Sequence, residues 1–249
     1  MLSKNKLKYL RSLARKKNRD NESVFIAEND KLVADLLDAG LKPNYICATE
    51  EFVHVKFDGD RVAQEELNKV SQLKTPQNVL AVFPQLKHTF SPEQLNGKLT
   101  LALDSIQDPG NMGTIIRLAD WFGIEYIICS KTTVDIYNPK VIQATMGAIA
   151  RVKVVYTDLE ELLSNPELAE IPKYATTLDG QNIYDQTLNN EAILIMGNEG
   201  KGVSPEVAQL VSHKLYIPSY PANVPTSESL NVAIATAVAC AEFRRVAGS

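Results

Sequence analysis

The sequence predicts an α/β protein with a largely parallel sheet, and three observations lead there. Short apolar runs alternate with segments of helical period along most of the chain. The runs Leu99–Leu103, Tyr126–Cys129 and Ala192–Met196 are almost wholly apolar, as strands covered on both faces must be. Polar punctuation from Lys87 to Lys98, including Ser91-Pro92 and Asn96-Gly97, then divides the chain. A small α/β domain, residues 1–95, is expected before a larger one, residues 96–249.

The elements follow in order. Residues 1–19 place Leu7, Leu10 and Ala14 at helical spacing, with one face free to dock and the other solvated. Val24–Ala27 reads as a buried strand. Asp30–Ala39 reads as an amphipathic helix with Leu32, Val33, Leu36 and Leu37 inward, ended by Gly40. Strand Tyr45–Ala48, helix Glu65–Val70 and strand Val79–Phe83 complete the first domain. Beyond the linker come strand Leu99–Leu103, a helix over 111–122 stopped by Gly123, and strand Tyr126–Cys129. Strands Val152–Tyr156, Tyr174–Thr177, Ala192–Met196 and Lys214–Ile217 follow, with helical pieces between them, and a long helix runs from Leu230 to Arg245.

Composition narrows the function. The chain has 249 residues, 45% hydrophobic and 22% charged, as ordinary globular proteins do. No apolar run approaches the roughly 20 residues of a membrane span, and the N-terminus lacks a secretory apolar stretch. Cys47, Cys129 and Cys240 are dispersed, as are His54, His88 and His213, so neither a disulfide framework nor a metal site is expected. Free thiols suit a reducing compartment, the cytoplasm. The net charge of −4 conceals an asymmetry. Residues 1–19 hold Lys4, Lys6, Lys8, Arg11, Arg15, Lys16, Lys17 and Arg19 without one acidic residue. A polyanion would be drawn to that segment, and Lys8, Arg11, Arg15, Lys16, Lys17 and Arg19 are the expected RNA contacts. A solvated terminal helix and a targeting presequence are the competing readings of the same charges.

In parallel sheets, ligands bind in the loops beyond the strands' carboxyl ends. Three such loops are unusual here. The first, Asp104–Gly113, opens a helix through Asp108-Pro109-Gly110 with Asn111 as a possible cap. Turn chemistry accounts for all of it except Arg117, a charge in a helix otherwise presenting Met112, Ile115, Ile116 and Ala119. The second, Met196–Gly202, carries Gly197, Gly200 and Gly202 around Asn198 and Glu199. It brings backbone close to a ligand. Val203 stands where a triphosphate-cradling loop needs lysine, and no G-x-G-x-x-G turn exists, so nucleotide triphosphates and dinucleotides are disfavoured. The third runs from Ile217-Pro218 to Ser229-Leu230-Asn231-Val232, where Ser and Asn are ordinary helix caps as well as possible ligands.

In this order the three stretches resemble the three motifs of the SpoU/TrmH family of RNA ribose methyltransferases, within the SPOUT superfamily. Asp108–Gly113 with Arg117 is similar to the first motif, Gly197–Gly200 with Gly202 to the second, and Ile217-Pro218 with Ser229–Val232 to the third. More loosely, Ser12-Leu13, Arg19 and Phe25–Glu28 resemble the ribosomal-protein-like substrate-binding domain of members that modify ribosomal RNA. The resemblance implies a SPOUT-type parallel sheet with a deep trefoil knot, and a homodimer with its sites near the subunit interface. It implies S-adenosylmethionine as methyl donor, held bent by backbone at Gly197, Ile217 and Leu230 with Asn198 and Gly200 beside it. Asn111, Arg117, Glu199, Ser229 and Asn231 would surround the reacting ribose of structured RNA, most naturally 23S ribosomal RNA. Arg117 then serves as the base or as a clamp on the neighbouring phosphate, and a guanidinium's high proton affinity favours the clamp. Two departures stand out. Ile217 and Leu230 lie 13 positions apart, which lengthens the third loop, and Asn29 replaces a common Gly after Glu28. Competing functions are a tRNA 2′-O-methyltransferase, a non-catalytic RNA-binding dimer scaffold, and a doubly wound methyltransferase or nucleotide-binding enzyme.

Overall fold

The computed structural model describes residues 1–221, 224 and 227–247, and the chain forms two compact units. The first comprises Met1–Lys87 with Asp135–Arg151, the second His88–Val134 with Val152–Ser249.

The first unit opens with α1 (Lys4–Ser12) and α2 (Lys16–Glu22), two helices where the apolar spacing suggested one. Arg15 takes extended backbone and starts the second helix, so Leu10 and Leu13 are buried while Ala14 faces solvent. β1 (Val24–Glu28), α3 (Asp30–Asp38), β2 (Tyr45–Ala48), β3 (Asp60–Arg61), α4 (Gln64–Val70) and β4 (Val79–Pro84) follow. Their strands form a four-stranded sheet in the order β1-β4-β2-β3, antiparallel except between β2 and β3. Leu10, Leu13, Val24, Ile26, Leu67 and Val82 share one apolar cluster, so the basic N-terminal segment is folded into this core. Asn29 explains its own departure. Its φ is 98°, a region that favours glycine, and its Oδ1 accepts from the N–H groups of Lys31 and Leu32 to start α3.

The second unit is built on β5 (Leu99–Leu103), α5 (Pro109–Trp121) and β6 (Tyr126–Ser130). The crossover leaving β6 contains α6 (Pro139–Thr145), which packs on β1 as part of the first unit. The chain returns through β7 (Lys153–Thr157), α7 (Leu159–Leu163), β8 (Lys173–Asn182), β9 (Ala192–Met196), α8 (Pro205–Ala208), β10 (His213–Tyr216) and α9 (Val232–Ala247). All six strands are parallel, in the order β10-β8-β9-β5-β6-β7. β5 and β9 are fully buried along their length, which matches their unbroken apolar sequence. From β5 the chain winds outward to β7, then crosses to the other side for β8, β9 and β10. The winding therefore reverses between β5 and β9, the point in such sheets beyond whose carboxyl ends ligands bind.

The excursion at 135–151 explains Arg19, which is 2% exposed. Its Nη1 donates to the Leu13 and Ala14 carbonyls, and its Nη2 meets Asp135 Oδ2 at 2.7 Å. Arg19 therefore does not join an RNA-binding face: the guanidinium is buried, with Nη1 and Nη2 on internal partners, and cannot reach a phosphate. It holds the α1–α2 turn to the returning segment, where Tyr137 also stacks on Phe25 at 5.3 Å. Arg19→Ala would leave the partly buried Asp135 carboxylate with the Tyr137 N–H alone and strip two carbonyls of their donor. The unfolding free energy should fall by about 3 kcal/mol, read from the urea midpoint. An unchanged midpoint would refute that role.

Candidate functional site

The first loop follows β5 and the second follows β9, so strand pairing alone sets them side by side at the reversal point. Asp104, at the end of β5, donates its N–H to the Met196 carbonyl and accepts from Ser204 N at 2.7 Å. Both loops are thereby pinned to one edge before any functional group is considered.

The second loop is a closed turn. Asn198 and Gly202 exchange backbone hydrogen bonds at 2.9 Å, and Asn198 Oδ1 accepts from Gly200 N and Lys201 N. A Cβ at Gly197 would lie 2.3 Å from the Gly202 carbon, so the turn closes only on glycine. Asn198 Nδ2 reaches the Ser105 carbonyl at 2.7 Å and ties this turn to the first loop.

With the turn fixed, Glu199 faces the start of α5. Its carboxylate accepts from Asn111 Nδ2 at 3.0 Å, from Asp108 N at 3.3 Å and from Gln107 N at 3.4 Å. Asp108 caps α5 by accepting from Asn111 N at 2.8 Å. Asn111 Oδ1 in turn accepts from Asn231 Nδ2 at 2.8 Å. Asn231 caps α9, its Oδ1 taking the N–H groups of Ala233 and Ile234. The third loop thus enters through a helix cap that also reaches the first. α5 and α9 pack together, and at their far ends Arg244 Nε donates to the Phe122 carbonyl. The two helices run parallel, held at both ends. Glu199, Asn111 and Asn231 form one hydrogen-bonded relay across three loops that are distant in sequence.

Not every expected residue joins it. Arg117 is exposed on α5, six residues beyond Asn111 and so on another face, without an ion pair or hydrogen bond among the described residues. Ser229 is exposed and makes no hydrogen bond among the described residues. Leu230 is 49% exposed, and Ile217, immediately after β10, is half-buried. The lengthened third loop includes residues 222, 223, 225 and 226, which lie outside the described residues.

The register of β8 against β10 jumps from Lys214 opposite Ala175 to Leu215 opposite Gln181, and exposed Leu178 lies in the span between. Leu178, Ile217 and Leu230 are accessible apolar side chains and the Gly197–Gly202 turn is bare backbone, the chemistry that an adenosine group needs. The donor set therefore fits S-adenosylmethionine and offers no cradle for a triphosphate. No group of three or more His, Cys, Asp or Glu side chains that could hold a metal ion occurs among the described residues.

Sequence reasoning missed the supporting groups. The N–H groups of Gln107 and Asp108 on Glu199 carry no side-chain signature. Nor does the hydroxyl cluster of Ser105, Ser130, Thr132 and Thr133 behind the first loop.

Comparison with known proteins bears on the same residues. A family model described as the SpoU rRNA Methylase family matches residues 98–241, and one described as an MRM3-like substrate binding domain matches residues 4–81. The 23S rRNA (guanosine(2553)-2′-O)-methyltransferase RlmP of Bacillus subtilis is 28% identical over 239 residues, covering 94% of this chain and 93% of its own. Among solved structures, a TrmH-family protein from Porphyromonas gingivalis superposes with a TM-score of 0.85 at 39% identity, over 98% of this chain and 99% of that one. An AdoMet-bound rRNA methyltransferase from Sinorhizobium meliloti superposes with a TM-score of 0.84 at 30% identity, over 98% and 97% of the two chains.

Proposed function

The chain belongs to the SpoU rRNA methylase family, and from that premise we propose that it methylates a ribose 2′-hydroxyl of ribosomal RNA, with S-adenosylmethionine as donor. The observation that carries the reading is the Glu199–Asn111–Asn231 relay, which assembles all three loops at the reversal point of the sheet.

S-Adenosylmethionine, when bound, supplies a methyl group activated on a sulfonium, which the 2′-oxygen takes in line as the carbon–sulfur bond breaks. The work left to the chain is alignment. Backbone at Gly197, Ile217 and Leu230 would hold the donor, with Asn198 and Gly200 beside it. Asn111 and Asn231, fixed by each other and by Glu199, present amide groups to the ribose, and Ser229 at the rim offers a hydroxyl. Glu199 directs its oxygens to Gln107, Asp108 and Asn111, so its role is to orient Asn111, not to take the proton. Arg117 stands free to clamp the phosphate beside the target ribose, and the hydroxyl proton passes to water.

Substrate capture falls to the first unit. Lys8, Arg11, Arg15, Lys16 and Lys17 are exposed, although Arg11 Nε also reaches the Lys69 carbonyl and Lys16 pairs with Asp20. Neutralising all five should weaken RNA binding without changing cofactor affinity. The salt dependence should flatten by roughly 0.7–0.9 in log–log slope for each phosphate that no longer meets a positive charge. An unchanged slope would remove the segment from the interface. We propose that a second copy of the chain covers Trp121, which stands 83% exposed at the end of α5. Sedimentation at twice the chain mass, lost in Trp121→Glu, tests this. Cys47, Cys129 and Cys240 are free and buried, in keeping with the cytoplasm, and no helix among the described residues is long and apolar enough to cross a membrane. The decisive experiment maps ribose methylation on ribosomal RNA incubated with protein and S-adenosylmethionine. Absence of any 2′-O-methyl mark on ribosomal RNA, with a mark on tRNA, would move the substrate. No mark on either would overturn the activity.

A further inference from the structure

We propose that Ser105 is a positioning residue for methyl transfer, acting through its backbone conformation and not through its hydroxyl; the proposal rests on the methyltransferase reading above. Ser105 has φ of 60°, the left-handed region, which residues with a Cβ hold only where their surroundings fix it. Its surroundings do so from several directions. Ser105 N donates to Ser130 Oγ at 2.9 Å, and its carbonyl accepts from Asn198 Nδ2 at 2.7 Å. Its Oγ lies 2.6 Å from Thr132 Oγ1 and 3.2 Å from Asp104 Oδ1. Ser130 is itself shared with Thr133, which donates to the Leu103 carbonyl at 3.1 Å. The turn is fastened to its own strand, to the end of β6 and to the loop after β9.

The consequence lies in the next three residues. The reversal sends Ile106 into the core, fully buried. It then brings Gln107 and Asp108 back with both N–H groups on Glu199, while Gln107 Nε2 holds the Thr132 carbonyl at 2.7 Å. Extended backbone at Ser105 could not bury Ile106 and also turn those two N–H groups onto one carboxylate. Glu199 would lose two of its donors, and Asn111 its fixed partner.

Side-chain chemistry and backbone conformation make opposite predictions for two simple variants. Ser105→Thr keeps the hydroxyl but adds β-branching, which opposes left-handed backbone. Ser105→Gly discards the hydroxyl and adopts that backbone freely. The rank of kcat should be Ser105→Gly above Ser105→Ala above Ser105→Thr. The threonine variant should fall about tenfold or more while the KM for S-adenosylmethionine stays within about twofold. Hydrogen–deuterium exchange over residues 104–112 supplies a second reading without RNA or cofactor. Exchange should quicken in Ser105→Thr and Ser105→Ala more than in Ser105→Gly, and Ser105→Ala keeps the ranking readable if the threonine chain folds poorly. A threonine variant equal to or better than glycine in both measurements, or variants that do not differ, would overturn the proposal. A wild-type protein that methylates no RNA, with the exchange ranking intact, would instead refute the activity and leave the backbone role standing.

Discussion

Arg117→Ala should lower kcat/KM for RNA methylation by about 100-fold or more, with S-adenosylmethionine affinity unchanged. The expectation follows from where the guanidinium stands. Arg117 is exposed on α5 and takes no part in the Glu199–Asn111–Asn231 relay, so its removal should leave the relay and the cofactor edge intact. Its availability is what suits it to an incoming anion. A guanidinium holds phosphate by paired, planar donors that an ammonium cannot reproduce. Arg117→Lys should therefore recover only part of the loss, through charge alone. Steady-state kinetics with calorimetry for the cofactor separates the outcomes. If alanine and lysine variants both retain near-wild-type turnover, Arg117 has no role in the reaction. If both lose cofactor affinity in step with turnover, the residue supports the fold and not the substrate.

Much of this site was legible in the sequence, and the reason is geometric. Strands buried on both faces must be apolar throughout, so Leu99–Leu103 and Ala192–Met196 declared themselves with their ends at the observed positions. Once those ends were known, the residues after them had to lie at the carboxyl edge of the sheet. Asn111, Glu199 and Asn231 met there because each sits within a turn of a strand end or a helix start. Arg19 misled because a charge count carries no direction. Seven basic neighbours made it look solvated, while its partner Asp135 lies 116 residues away on an excursion with no periodic signal of its own. Ser105 was invisible for a different reason. Serine is common in every turn type, and a left-handed φ held by hydroxyls from another strand leaves no trace in local composition.

Glu199→Gln should reduce turnover nearly as far as Glu199→Ala, by roughly 10- to 100-fold. Isosteric replacement would ordinarily be the mild change. Here the carboxylate is met only by donors: Asn111 Nδ2, Asp108 N and Gln107 N. An ionised carboxylate offers acceptor sites on both oxygens, whereas glutamine offers one oxygen and an NH2 that must face another N–H. One donor at the start of α5 is left opposed, and the Asn111 amide is free to turn over. Once turned, Asn111 would present a donor to Asn231 Nδ2, and the fault would reach the third loop through the same 2.8 Å hydrogen bond that now fixes it. The loss should appear in kcat more than in the KM for S-adenosylmethionine, because the Asn198–Gly202 turn is closed by its own backbone bonds. Full turnover in Glu199→Gln would mean that the relay does not set the ribose in place. Loss of cofactor binding in parallel would place Glu199 on the donor and not on Asn111.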